Sequence, residues 1–328
     1  MGSGTVLQIV SGFRPNVDGM GDFCKLLGDA LWSQKSLRSH FLSYRRPESP
    51  LSPPGPQEFL PNTVSYPSEA TPTALASHLA KLGGETPFEF TILHYGPYGY
   101  SRIGEPAQFV GAIEEFAKQT NLLVFFHELY ASGKPWQRAF WTNREQRNCV
   151  DRLMRVAKVA FASNGKYMRS LQRINPVGRD LIEIPIFSNV GEPVEVLPLA
   201  QRARQLVIFG QLPNRVRLYS KHCRTLTDIC RLLKIEKVID LGSGQSPLIP
   251  SVLGQAKVES VGWVDEKQVS AWMSDSIAGV VAYWPDVWEK SGVVAAYGAH
   301  GLVPILVPLE KRNLPRQAVV PTFKLRNL

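Results

Sequence analysis

Short apolar runs alternate with amphipathic stretches through the first half of the chain. The runs at 6–10, 41–44, 90–93, 122–126, 159–162 and 181–184 predict strands buried on both faces, the mark of a largely parallel sheet built from βαβ units. Several of them end in Gly, His or Asn, and the ends of such strands line a crevice. The alternation restarts in the second half, with strands predicted at 206–209, 237–240, 258–261, 277–282 and 303–307 and helices at 218–233, 266–274 and 291–299. The expected fold is therefore α/β, with two doubly wound, Rossmann-like domains at 1–197 and 198–328 facing across a cleft. A linker is read across 191–203. Between Pro47 and Pro72 the chain is dense in Pro, Ser and Glu, which argues against helix or central strand and predicts an exposed excursion.

Composition supports two packed cores. The 328 residues are 44% hydrophobic and 20% charged, enough for two domains of roughly 150 residues each. A net charge of +9 admits nucleic acid, an anionic membrane or phosphorylated small molecules as partners. The cations are scattered, however, and no basic helix or RNP-like aromatic motif accompanies them, so nucleic acid is not expected. Four cysteines with no Cys-x-x-Cys pair and no neighbouring histidine cluster give no zinc site, and no metal is expected. The start of the chain lacks the charged and long apolar regions of a secretory signal, and no run reaches the roughly 18 apolar residues that cross a bilayer. A cytoplasmic protein is expected, with any membrane contact peripheral, at the inner face.

Chemistry concentrates at strand ends. The loop after the first strand carries Gly12, Asp18, Gly19, Gly21 and Asp22 and opens a helix read from Phe23. Such a loop lets backbone amides approach an anion or a hydroxylated ligand; the plainer alternative is a turn with Asp22 as N-cap. The run 122–126 ends in His127 and Glu128, where an imidazole could act as general base or bind a sugar hydroxyl or phosphate. His94 ends the preceding run and is followed by Tyr95, Tyr98 and Tyr100, which suit sugar stacking and core packing equally. In the second half, Arg215 and Arg217 precede a helix and suit a diphosphate, unless they are only solvated surface. Lys290, Ser291 and Gly292 begin a small-residue helix, so an ammonium, a hydroxyl and free amides converge in an expected anion site. A competing motif, Asp240, Gly242 and Gly244 with Asp265 downstream, looks like the glycine-rich loop of S-adenosylmethionine-dependent methyltransferases, although Pro247 and Pro250 interrupt the helix that should follow.

The segment 262–304 resembles the C-terminal domain of GT-B glycosyltransferases, and the likeness extends to the Asp18–Asp22 loop, the His127-Glu128 strand end and the stretch 184–189. The resemblance implies transfer of a sugar from a nucleotide-sugar donor to a glycan, lipid-linked or small-molecule acceptor, without a metal. It places Gly19 and Gly21 near acceptor and donor phosphate and His127 near the transferred sugar, with Asp18 as a second candidate for catalysis. Arg215 or Arg217, Lys290, Ser291 and Gly292 would hold the diphosphate. Retaining members of that superfamily commonly carry Glu-x7-Glu on the last helix, where this chain has Trp288 and Ala296, with Glu289 beside the first. A nucleotide-sugar-binding protein without catalysis is therefore the alternative of a different class.

Overall fold

The computed structural model describes residues 4–13, 19–44, 63–65, 72–85, 88–175, 178–284 and 288–308. Two compact units form: residues 1–191 together with 289–296, and residues 192–288 together with 297–328.

The first unit is a parallel sheet with helices between its strands. In chain order it contains β1 (Thr5–Val10), α1 (Gly19–Lys35), β2 (Arg38–Ser43), β3 (Thr63–Ser65), α2 (Pro72–Glu85), β4 (Phe90–Tyr95), α3 (Pro97–Tyr100), α4 (Ala107–Phe116), β5 (Leu122–Phe126), α5 (Arg138–Val156), β6 (Val159–Ala162), α6 (Gly165–Ile174) and β7 (Asp180–Glu183). The sheet order is β3-β2-β1-β4-β5-β6-β7, with every described pairing parallel. β1 and β4 are buried along all but their first residue because helices cover both faces of the sheet. The order reverses between β1 and β4, and that reversal opens a gap at the carboxyl ends of the two strands. Tyr100 ties these ends together, its hydroxyl donating to the carbonyls of His94 at 2.7 Å and Ile9 at 3.2 Å.

Three local differences from the sequence reading have physical causes. α1 begins at Gly19 and not at Phe23, so Asp22 lies within its first turn, where a carboxylate favours the helix dipole. The proline-rich excursion contains β3, a three-residue edge strand, in register with β2 from Phe41↔Thr63; the rest of 45–71 lies outside the described residues. β2 starts at Arg38 because its whole length pairs with β1.

The second unit contains β8 (Ala203–Phe209), α7 (Leu212–Leu232), β9 (Lys237–Leu241), β10 (Val252–Leu253), β11 (Ala256–Gly262), α8 (Glu266–Asp275), β12 (Ser276–Tyr283) and β13 (Val303–Pro308). Its sheet runs β10-β11-β9-β8-β12-β13, parallel except for the β10–β11 hairpin, and reverses between β8 and β12. α7 starts six residues earlier than the periodicity suggested, with Pro213 in its first turn, and leaves helical geometry at His222 (φ −127°, ψ 21°). Gly279 in β12 has a packing reason: a Cβ there would come within 2.6 Å of the Tyr297 ring, whose hydroxyl accepts from the Phe209 amide at 3.0 Å. Tyr297 lies on α9 (Gly292–Ala299), whose first five residues belong to the first unit. No described helix is long and apolar enough to cross a membrane.

Candidate functional site

Polar chemistry in the first unit gathers where β1, β4 and β5 end. Gln8 sits in the middle of β1, fully buried in an otherwise apolar strand. Its carboxamide nitrogen donates to Ser39 Oγ at 2.9 Å, leaving its oxygen to accept from His94 Nε2 at 2.9 Å. With its proton on Nε2, a neutral His94 has a lone pair on Nδ1, and His127 Nε2 lies 3.1 Å from it. His127 therefore donates through Nε2 and keeps its own Nδ1 as a lone pair. The chain Gln8–His94–His127 thus fixes both tautomers through hydrogen bonds alone.

Burial keeps both rings neutral. His94 has no exposed surface, and loss of solvent holds its pKa down at about 3. His127 is half-buried, yet its pKa also falls well below 6.5, first through desolvation, then through His94 and the nearby charge of Lys290. Its ring is packed between Phe125, stacked at 4.5 Å, and Phe23, edge-on at 5.0 Å. Phe23 comes from the first turns of α1, which supply this site with an aromatic wall. Gly21 lets the start of α1 approach the residues just after β1, since a Cβ there would stand 2.7 Å from the Gly12 carbonyl oxygen. Gly19 is exposed with open space beside it. Asp18 lies outside the described residues.

The next residue, Glu128, meets a cation from far along the chain. Lys290 Nζ lies 3.1 Å from Glu128 Oε1 and 3.4 Å from the Tyr167 hydroxyl. Tyr167 is held by the N-cap of α6, where Asn164 Oδ1 accepts from the Tyr167 amide at 2.9 Å. Lys290 is thus a cation with a counter-ion. Ser291 is buried, and its hydroxyl accepts from Val294 N at 3.3 Å, so it caps α9. Gly292 opens that helix beside Asn189, whose Oδ1 is buried without a hydrogen-bond partner among the described residues; a Cβ on Gly292 would lie 3.2 Å from Asn189 Cβ.

The tyrosines after His94 differ in burial. Tyr95 and Tyr100 are core residues, while Tyr98 is exposed. Gln8 and Tyr167 are the participants that motif reading misses. A lone glutamine in an apolar strand was the available signal for the first; nothing in the sequence singled out the second.

In the second unit the two arginines differ. Arg215 is fully buried: it pairs with Asp240, donates from Nε to the Gly210 carbonyl, and donates from one terminal nitrogen to the carbonyls of Gly242, Ser243 and Gly244 at 2.7–3.1 Å. Its guanidinium is turned inward and holds two loops together. Arg217 is exposed. The same geometry accounts for the methyltransferase-like motif, because Asp240 is the buried partner of Arg215 and the glycine loop closes over that side chain. Asp265 is the N-cap of α8, accepting from Gln268 N at 2.8 Å. Where a second glutamate would stand on α9, Ala296 is fully buried; Glu289 is exposed. Among the described residues no group of three His, Cys, Asp or Glu side chains is placed to hold a metal ion.

No protein-family model matches the chain, and no curated protein matches it in sequence. Solved structures do match in fold. Sucrose-phosphate synthase from Thermosynechococcus elongatus is similar at a TM-score of 0.55 and 16% identity, over 96% of this chain and 87% of that one. An alpha-glucosyltransferase in complex with UDP-glucose and DNA containing an abasic site gives a TM-score of 0.55 at 10% identity, over 92% and 79%. An alpha,alpha-trehalose-phosphate synthase (UDP-forming) from Burkholderia vietnamiensis gives 0.51 at 11%, over 94% and 83%. The chain has the GT-B fold of these proteins.

Proposed function

We propose that the protein is a glycosyltransferase that moves a sugar from a nucleoside-diphosphate sugar to a glycan, lipid-linked or small-molecule acceptor without a metal. The observation that carries this reading is the neutral His127 at the end of β5, under the influence of the nearby charge of Lys290, which pairs with Glu128, in a protein of GT-B fold. A neutral imidazole accepts a hydrogen bond from a sugar hydroxyl, which an imidazolium cannot do. The structures similar in fold include one described with UDP-glucose and one described as UDP-forming, which supports a nucleotide-sugar donor.

The roles follow the residues. His127 contacts the transferred sugar or the acceptor hydroxyl, and Lys290 offers positive charge to a leaving diphosphate, with Glu128 positioning its ammonium between turnovers. A preorganised cation of this kind lowers the barrier to departure of the diphosphate. In the second unit, Arg217 is the cation of the two arginines that remains for a phosphate, since Arg215 is engaged in the fold.

A binder without catalysis and a methyltransferase make different predictions. Thermal unfolding with UDP, GDP, ADP and S-adenosylmethionine identifies which ligand stabilises the folded protein. Release of nucleoside diphosphate from the matching sugar nucleotide then separates an enzyme from a binder. Stabilisation by S-adenosylmethionine alone would refute the transferase reading.

A further inference from the structure

The outer face of α5 carries an apolar, basic surface that the fold does not use. The buried stripe of this helix runs through Thr142, Gln146, Cys149, Val150 and Leu153, in step with the helical period. Phe140, Trp141 and Arg144 lie on the opposite face. Trp136, just ahead of the helix, is 76% exposed, Trp141 71% and Phe140 45%. Three large aromatic rings this exposed within six residues are unusual for a surface that meets only water.

Charge specifies the partner. Between positions 130 and 148 stand Lys134, Arg138, Arg144 and Arg147 against a single carboxylate, Glu145. Glu145 accepts from the Ala107 amide at 3.2 Å and lines an open hollow with Trp141, Arg144 and Asn148. Lys134 Nζ sits 5.0 Å from the centre of the Trp136 ring, a cation over an exposed aromatic face. The Trp141 indole N–H donates to the Pro135 carbonyl at 2.8 Å, so the ring can enter an apolar phase without carrying an unpaired donor. Its outward face is hydrocarbon. Gln137 makes no side-chain cap on α5; its Oε1 instead accepts from Lys134 N at 2.9 Å, which fixes the turn that carries Trp136. Exposed aromatic rings flanked by long basic side chains match the boundary between lipid headgroups and acyl chains.

We propose that this surface docks on an anionic lipid bilayer, with Trp136, Phe140 and Trp141 entering the interface and Lys134, Arg138 and Arg144 meeting lipid phosphates. The inference stands on the surface of the first unit and is independent of the transferase reading.

The test is flotation of the full-length protein with vesicles of phosphatidylcholine alone or with phosphatidylglycerol, at two salt concentrations. Expected is binding to the anionic vesicles, weakened by salt and about fivefold weaker for Arg144→Gln. Loss on the order of tenfold or more is expected for the Trp136→Ala/Trp141→Ala pair. A blue shift in tryptophan emission on vesicle binding should disappear in that pair. Circular dichroism of each variant checks that the exposed substitutions leave the fold intact. Equal partition to neutral and anionic vesicles, or unchanged binding by the tryptophan pair, would overturn the proposal. So would failure to float while single-stranded DNA or a glycan binds in a Trp136- and Trp141-dependent way, because the surface would then serve a polymer in solution.

Discussion

His94 Nδ1 and His127 Nε2 lie 3.1 Å apart, and the direction of the hydrogen bond between them is set two strands away by Gln8. One carboxamide in β1 therefore determines which nitrogen of His127 keeps a lone pair. Replacing Gln8 with Leu should orphan the buried His94 N–H and cost about 1–3 kcal/mol in urea unfolding. Gln8→Glu restores an acceptor and should recover the tautomers read by nitrogen NMR, with both histidine pKa values moved upward. A His127 protonated on Nδ1 in the native protein would contradict the relay.

Acid should act on the fold through the same pair. The folded-state pKa of His94 is about 3, far below its ordinary 6.5, so the unfolded chain takes up a proton that the native state refuses. The stabilisation relative to the protonated unfolded chain is complete above pH 6.5 and is lost as pH falls toward 3, at about 1.4 kcal/mol per pH unit for each such imidazole. Urea midpoints between pH 7 and 5 should fall accordingly, and less steeply in His94→Asn. By the same reasoning, turnover that uses neutral His127 should show no inflection near pH 6.5.

Lys290 should matter for transfer more than for folding. Its pair with Glu128 is half-open to solvent, and such pairs contribute about 1 kcal/mol or less to stability. Lys290→Ala is expected to leave the melting temperature nearly unchanged while lowering turnover on the order of 100-fold, the usual effect of removing one transition-state contact. Undiminished transfer in this variant would remove Lys290 from the diphosphate.

Arg215 should show the reverse behaviour. Asp240→Asn leaves a buried guanidinium without its counter-charge and should destabilise by about 3–5 kcal/mol. Arg215→Ala should do the same, and the double variant should lose less than the sum of the two, as residues in one network do. If Arg215→Ala folded with native stability and only weakened sugar-nucleotide binding, the inward role described for it would be wrong.

The strands were legible because parallel strands covered on both faces appear as unbroken apolar runs; β1, β4 and β5 follow their runs within a residue or two. Helix starts were less legible. α1 and α7 both begin ahead of their apolar periodicity, because Gly19 and Pro213 occupy first turns where no buried stripe is needed. The motifs drew attention to His127 and Lys290, which the fold brings into one cluster, but charge alone could not distinguish a cation at that cluster from one holding a loop. That distinction needed the burial of Arg215 and the position of Asp240, 25 residues on. The Glu128–Lys290 pair spans 162 residues, a separation across which no local pattern signals contact.

The first unit is not one uninterrupted length of chain. It includes 289–296, which return to it after β8 through β12 of the second unit have been laid down and before β13. A recombinant fragment ending at residue 191 would keep the whole seven-stranded sheet and its histidine relay, yet Glu128 would have no ammonium and Asn189 no helix start beside it. During synthesis, the sheet can assemble long before Lys290 is made. The cluster is therefore completed late, by a segment made only after the sheet it joins and most strands of the second unit.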